Sequence, residues 1–192
     1  MMHVPIKRFA VMILVVGPKP HSSALVGQDA PPTTRVELSA GLMLPLRALS
    51  AGTGSTRLRS APFAGLALAI QTSPRVSIRF RGASALTQGT TSGQSGRLIA
   101  GLGELLITPV VGGPIELGFG VGVRRYLFEG DDCAGNVCGI GNMSQTAALV
   151  ASSGAVRVRI GGIDTAVEVG GWISGYHGRT MLDVTIGARV HL

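Results

Sequence analysis

Hydrophobic and polar residues alternate along most of the chain. In the last segment, Leu182, Val184 and Ile186 share one face of an extended strand, and Asp183 and Thr185 share the other. Successive side chains of a strand point to opposite faces, so this period of two predicts a strand with one apolar and one polar face. About eight such segments can be recognised, at residues 35–46, 57–71, 75–81, 97–110, 115–124, 145–160, 165–173 and 182–192.

The assignment of faces is clear in the second segment and open in the fourth. In the second, the alternation groups Leu58 with Leu66 on the apolar face and places Arg57 and Arg59 on the opposite, polar face. In the fourth, Glu104 lies among leucines on both sides, so either face could be the apolar one and the register stays open. A shift of one residue would exchange the two faces of a strand.

The connections between the segments differ in length. Short turns are predicted at Ser73 and Pro74, at 112–114 and at Gly161 and Gly162. The alternate connections, near 49–56, 87–96 and 129–143, are longer and polar, whereas the last one, at 175–178, is short. Short turns at one end and longer loops at the other are typical of membrane β-barrels.

Hydropathy and strand pattern together predict the fold class. Residues of the hydrophobic types make up 45% of the chain, yet no continuous apolar stretch reaches the roughly 20 residues that a membrane-spanning helix needs. A closed barrel can expose apolar side chains to lipid while pairing all its backbone groups between strands. We therefore expect an all-β protein, a single closed antiparallel up-and-down transmembrane barrel of about eight strands. A secreted soluble calyx, with the two faces exchanged around a small ligand, is an alternative.

The first residues have the features of an export signal. Lys7 and Arg8 form a positive region, residues 9–16 an apolar one, and residues 22–24 provide small side chains for cleavage. We expect a signal peptide over residues 1–24, cleaved near 24–27, and one barrel domain over residues 25–192.

Arginine and acidic residues recur on the polar faces of the segments. An unpaired charge inside a narrow barrel is costly, so these residues are expected to pair as an ionic plug within the lumen. A narrow anion pathway, or arginines near the rim that bind lipopolysaccharide, are alternatives. The expected network contains Arg57, Arg59, Arg79, Arg81, Glu116, Arg124, Arg157, Glu168, Arg159, Asp183 and Arg189.

Two cysteines, Cys133 and Cys138, lie in a polar, glycine-rich stretch. In an exported protein they are expected to form a disulfide that closes this loop. Histidine neighbours are missing and the acidic residues nearby do not have the spacing of a calcium loop, so no metal site and no cofactor are expected.

The leader, the alternating segments, the short turns and the final alternating strand resemble the small eight-stranded outer-membrane barrels of the OmpA/OmpX type. The resemblance implies a protein of the bacterial outer membrane with a structural or surface-interaction role and no catalysis. Its implied partners are outer-membrane lipid, lipopolysaccharide and the barrel assembly machinery, and the implied state is a monomer.

A few residues bear on two other functions, catalysis and nucleic-acid binding. His177 lies beside Ser174 in a predicted outer loop, and outer-membrane lipid A deacylases carry histidine and serine near the barrel rim, so a lipid-modifying enzyme is the alternative with His177 as its weak catalytic candidate. Nucleic-acid binding is not expected, because the arginines follow strand parity and no basic run is interleaved with aromatic residues.

Overall fold

The computed structural model describes residues 33–46, 49–51, 54–56, 58–88, 95–129, 133–134, 137–138, 143–176 and 179–192. The expected signal peptide lies outside the described residues. In the described part of the chain, no helix is long and apolar enough to span a membrane.

Strands account for nearly all of the described chain. Eight of them form a closed barrel, and two short hairpins, β2–β3 and β8–β9, lie in the longer connections. The strands are β1 (Thr34–Pro45), β2 (Leu49–Ala51), β3 (Gly54–Thr56), β4 (Ala61–Ser73), β5 (Val76–Gln88), β6 (Ser95–Ile107), β7 (Ile115–Glu129), β8 (Cys133–Ala134), β9 (Val137–Cys138), β10 (Met143–Ile160), β11 (Ile163–Tyr176) and β12 (Arg179–His191).

The barrel is antiparallel throughout and closes between its first and last strands. Its order is β1-β12-β11-β10-β7-β6-β5-β4, in which every barrel strand pairs with its neighbours along the chain. Closure comes from β1 and β12, with partners from Glu37 and His191 to Pro45 and Asp183. The predicted closed up-and-down barrel is therefore confirmed.

Two of the three predicted short turns, between β4 and β5 and between β10 and β11, contain two residues, whereas the connection between β6 and β7 spans residues 108–114. Ile160 pairs directly with Ile163, which leaves a two-residue turn between β10 and β11. Gly161 and Gly162 both have positive φ, 58° and 87°. A tight hairpin with positive φ at both central residues matches the twist of the flanking strands, and glycine adopts that conformation without steric cost.

The open register of the fourth segment is settled in β6. Its inward side chains include Leu98, Leu102 and Glu104, whereas Ile99 and Leu105 face outward. Both faces of β6 are largely apolar, so the period of two could not distinguish them. Pairing with β5 determines which face of β6 points into the barrel, because Glu104 is the cross-strand partner of Arg79.

The expectation for Leu58 and Arg59 is wrong. Leu58 is buried with the inner side chains, and Arg59 is exposed. The reason is that β4 begins only at Ala61. Alternation fixes the facing of a side chain only within a continuous strand, so parity counted back from Leu66 does not hold before residue 61.

The barrel interior contains two apolar layers. The first lies toward the longer loops and includes Met43, Phe63, Tyr126 and Phe128. The second lies farther in and includes Leu102, Leu149 and Trp172. Most of the large aromatic residues are thus inside, and among the described aromatic side chains only Phe80 and Phe119 are exposed on the outer wall.

Candidate functional site

Charged side chains fill the interior toward the short-turn end. We call the group formed by four arginines and four glutamates the ionic cluster. Every barrel strand except β4 contributes to it. On each of these strands, an inward-facing position near the short-turn end of the barrel is occupied by a charged residue. Its members are Glu37, Arg79, Arg81, Glu104, Glu116, Arg157, Glu168 and Arg189.

Arg79 is the centre of the cluster and is completely buried. Its guanidinium donates to both carboxylate oxygens of Glu104, with Nε–Oε2 2.8 Å and Nη2–Oε1 3.0 Å. Its Nη1 also donates to Glu168 at 3.1 Å. Because β5 and β11 lie on opposite sides of the eight-stranded ring, this contact ties one wall of the barrel to the other.

Three further arginines extend the cluster around the lumen. Arg81 donates from Nη2 to Glu168 at 2.6 Å. Arg189 donates from Nη2 to Glu116 at 2.7 Å and from Nη1 to Glu37 at 3.3 Å. Arg157 donates from Nε to Glu116 at 2.8 Å. Each of the four glutamates thus accepts from at least one arginine.

The charges of the ionic cluster balance. Desolvating a single ion inside a barrel costs several kcal/mol, and hydrogen-bonded partners of opposite sign offset much of that cost. Four guanidiniums are matched by four carboxylates, and the partly buried Arg35, on the inward parity of β1, adds one positive charge that interacts with Glu37 and Glu116. His191 lies beside this group, with its Nε2 3.5 Å from Oε1 of Glu37. The arrangement therefore resembles a filling of the lumen more than a site that attracts an ion.

A second, separate pair lies among the aromatic residues nearer the loops. Arg124 on β7 is ion-paired with Asp183 on β12, and both side chains are buried. The Arg124 guanidinium lies 5.1 Å from the centre of the Tyr126 ring and 6.0 Å from that of Trp172. The ring faces add an attraction that can partly replace hydration of the cation.

Little space remains between these groups. One interior cavity, bordered by Met43, Phe63, Arg124 and Trp172, has a volume of about 10 Å³, and another, bordered by Arg81, Glu168 and Arg189, is of the same size. A water molecule needs at least about this much room. Side chains therefore fill the lumen at both levels.

The residues of the predicted lumen network lie at different places in the structure. Arg79, Arg81, Glu116, Arg157, Glu168 and Arg189 lie in the ionic cluster, and Arg124 and Asp183 form the second pair. Arg159 does not belong to the lumen network. Its side chain is 71% exposed and bonds to Asp164 across the β10–β11 turn, since β10 ends at the next residue and has left the barrel.

The remaining residues named from the sequence lie outside the ionic cluster or outside the described residues. Arg59 is exposed beyond the start of β4. Arg57 and His177, the weak catalytic candidate, lie outside the described residues. The two cysteines are backbone partners in the β8–β9 hairpin, with Cys133 opposite Cys138.

Two arginines on the outer wall were missed. Arg97 on β6 and Arg125 on β7 are exposed and share the outward parity of Ile99 and Val123. The signal was present in the sequence, because a charge at an apolar parity is unusual on a lipid-facing strand.

Comparison with solved structures identifies the fold. Neisserial surface protein A has a TM-score of 0.58 and 12% identity, over 85% of this chain and 99% of that protein. Ail, the attachment invasion locus protein of Yersinia pestis, has a TM-score of 0.54 and 10% identity, over 82% and 98%. The chain shares the fold of the small eight-stranded outer-membrane barrels. No protein-family model and no curated protein matches the sequence.

Proposed function

We propose that this chain is an integral barrel of a bacterial outer membrane, with a filled lumen and a structural or surface-interaction role that involves no catalysis. The observation that carries the proposal is the distribution of polarity across the barrel wall. Val121 is 67% exposed and Phe119 is 56% exposed on the outside, whereas Arg79 inside is 0% exposed. Such an inverted arrangement is stable when lipid surrounds the barrel.

The same distribution argues against a soluble calyx. A calyx that carries a small ligand would turn its apolar face inward. Here the inward face is lined with paired charges at one level and with close-packed side chains at the other, and large apolar side chains occur on the outward face of every barrel strand. In water that surface would be an extended aggregation site.

The surface role rests on the two long connections at one barrel end, residues 46–60 between β1 and β4 and residues 130–142 between β7 and β10. Membrane barrels place their short turns in the periplasm and their longer loops outside the cell. By that rule the connections between β1 and β4, β5 and β6, and β7 and β10 would face the exterior. The printed names of the two similar structures, a surface protein and an attachment invasion locus protein, are consistent with that role.

The absence of catalysis is supported by the surroundings of the buried serine on β11. The Ser174 hydroxyl contacts the Tyr126 hydroxyl at 2.6 Å and accepts from Arg124 at 3.4 Å. Neither neighbour is a base suited to activate a serine at neutral pH. The enzyme alternative is tested by the lipid A of cells with the natural chain, with His177→Ala and with no protein. A lipid A species that disappears in the last two samples would establish the enzyme.

We further expect the barrel not to conduct ions and to fold as a monomer with help from the barrel assembly machinery. An eight-stranded barrel is narrow enough for side chains to fill it. In a planar bilayer the full chain should give a flat current trace. Discrete current steps would contradict a filled lumen.

We infer a disulfide between Cys133 and Cys138. Directly opposed residues of an antiparallel pair have Cα atoms about 4.5 to 5.5 Å apart, a separation that a disulfide can span. Mass spectrometry of the exported chain after alkylation without reductant should find neither cysteine labelled. Two labelled cysteines would show that the loop is not cross-linked.

Fractionation of a Gram-negative host that expresses the full chain tests the proposed location. The protein should be recovered with the outer membrane, and its folded form should migrate differently from its boiled form in a detergent gel. Recovery as a soluble periplasmic protein would overturn the proposal.

A further inference from the structure

The outer wall has an apolar groove of about 430 Å³ that crosses β6, β7, β10 and β11. Its raised part is formed by Phe119 and Val121 on β7, which are 56% and 67% exposed. Gly103 on β6 is the direct partner of Val121, and Ser152 on β10 is the direct partner of Phe119. Beyond Ser152 lies Gly171 on β11. A ridge of large side chains on β7 therefore stands between small residues on both of its sides.

Packing of the barrel itself does not require these small residues. A Cβ at Gly103 would lie 3.8 Å from the nearest atom of Phe80, and one at Gly171 would lie 3.8 Å from the Ser152 hydroxyl oxygen. Both distances are ordinary contacts, so larger side chains could fill the wall at both positions. The low positions are instead left open on the outside of the barrel.

This relief is complementary to itself. Two copies inserted in the same direction can be related by a two-fold axis along the membrane normal, which brings the same patch of both copies together at the same depth. The β7 ridge of each copy can then enter the depression beside the ridge of the other. In lipid, association depends on such close packing, and small residues let two backbones approach closely.

A serine in the groove favours a protein partner over lipid. Ser152 lies near the middle of β10, and its side chain is exposed on the outward face. Its hydroxyl forms no hydrogen bond with any described residue. A hydroxyl without a partner is costly in hydrocarbon, and an acyl chain offers it none. A second copy brings its own Ser152 to the same depth, and hydroxyls of this kind bond across protein interfaces in membranes.

Charges of both signs lie on the same face at the loop end. Arg97 on β6 and Glu129 on β7 are exposed and are diagonal neighbours, because Arg97 pairs with Leu127 and Glu129 with Ser95. Among the described residues neither of the two charged side chains forms an ion pair. An anionic headgroup would satisfy Arg97 and leave Glu129 without a partner. A second copy supplies both signs at once.

The two-fold axis places these charges so that they can pair between copies. Each residue keeps its depth in the membrane, so Arg97 of one copy lies about one diagonal step, roughly 7 to 8 Å, from the level of Glu129 of the other. A long arginine side chain spans that difference. The axis would therefore give two equivalent Arg97–Glu129 pairs above the apolar contact.

We propose that two copies of this chain associate side by side in the membrane through the groove face, with the β7 ridges packed together and the Arg97–Glu129 pairs at the loop end. The inference rests on the proposed membrane location of the outer wall. Each copy folds as a monomer, and association follows in the plane of the membrane. The monomer implied by the family resemblance is thus the folding unit.

The first experiment measures association of the full exported chain in lipid vesicles. Lys7 and Lys19, the lysines of the chain, lie in the expected signal peptide, so an amine-reactive dye should label the exported protein at its α-amino group. Chains carrying a donor dye and chains carrying an acceptor dye are refolded together, and energy transfer is followed as the protein is diluted in lipid. Transfer should fall along a monomer–dimer curve. A chain that is monomeric at every dilution would overturn the proposal and leave the groove to lipid.

The second experiment fills the groove. Gly103→Leu with Gly171→Leu adds side chains to the depression without meeting backbone atoms, so the barrel should still fold and show its heat-dependent gel shift. Its energy transfer should fall to the level expected from random encounters. Ala40→Leu is the matched control, because Ala40 is exposed on β1, four strands from β7 around the ring. Equal association of the filled and natural chains would show that another face is used.

The third experiment exchanges the charges. An exposed ion pair contributes roughly two- to fivefold, and the axis counts it twice, so Glu129→Arg should weaken association about 5- to 25-fold. Arg97→Glu combined with Glu129→Arg should restore it, because the pairs form again with their signs reversed. Arg159→Glu, at the opposite end of the barrel, should leave association unchanged. Failure of the double change to restore association would exclude the Arg97–Glu129 contact.

The outcomes separate this inference from the proposed location. A barrel that inserts into vesicles with its heat-dependent gel shift but shows no concentration-dependent energy transfer leaves the location standing and removes the dimer. A chain that stays in solution and does not insert would instead overturn the location.

Discussion

Arg79 and Glu104 are direct cross-strand partners on β5 and β6, and two hydrogen bonds join their side chains inside the barrel. Two constraints, strand register and charge matching, act together in this pair. Strand register places the side chains opposite each other, and the charge match then fixes which face of β6 is turned inward. The ionic cluster is built outward from this contact, through Glu168 on the far wall.

Removing the Glu104 charge should destabilise the barrel. In Glu104→Gln the buried guanidinium of Arg79 loses its bidentate partner, and breaking a buried pair in this way typically costs about 3 to 5 kcal/mol. Unfolding by urea in lipid vesicles measures the loss. Asp164→Asn, which breaks the exposed pair with Arg159, is the control and should change the unfolding midpoint little. Equal effects of the two changes would show that the ionic cluster does not stabilise the fold.

The Arg124–Asp183 pair should show strong coupling. Asp183→Asn leaves a buried cation without its anion, and Arg124→Met leaves a buried anion without its cation. The variant with both changes leaves neither ion, so its loss of unfolding free energy should be smaller than the sum of the two single losses. A double-mutant cycle gives the coupling directly, and we expect at least about 2 kcal/mol. Strictly additive losses would mean that the pair does not act as a unit.

Strand parity was enough to predict the barrel, because at nearly every strand position successive side chains must face opposite sides of the barrel wall. On β1, for example, the outward Leu38 and inward Glu37 follow directly from alternation. Parity did not predict which way side chains face where there is no continuous strand or where both faces of the strand are apolar. Leu58 and Arg59 precede the start of β4, and β6 offers two apolar faces that alternation alone cannot rank.

The pairing inside the lumen could not be predicted in the same way. Arg79 meets Glu168 because β5 and β11 face each other across the ring, and that relation depends on strand number and stagger, which no local pattern encodes. For Arg159, parity wrongly predicted a place in the lumen network. It has the parity of Arg157, but the strand leaves the barrel between them, so one arginine lies in the ionic cluster and the other bonds to Asp164 at a turn.

Inward glycines should be essential where two strands approach closely. A Cβ at Gly122 would overlap the carbonyl oxygen of Gly101, which belongs to the backbone and cannot move aside alone. Gly122→Ala should therefore cost about 3 kcal/mol or reduce the yield of folded barrel. At Gly154, on the outward parity of β10, a Cβ meets nothing within 4 Å, so Gly154→Ala is the control for replacing a strand glycine where space is open. A folded yield for Gly122→Ala that equals the control would contradict the close approach of β6 and β7.

The central claim is that lipid surrounds the outer wall, and an arginine placed at two depths tests it most directly. Val121 is 67% exposed in the middle of β7, and Val111 is 55% exposed in the short turn before it. The measurement is the free energy of folding of Val121→Arg and Val111→Arg into lipid vesicles. The account predicts a loss of about 2 to 4 kcal/mol for Val121→Arg and at most about 1 kcal/mol for Val111→Arg. Equal values for the two variants, or a tolerated arginine at residue 121, would contradict a membrane-embedded wall.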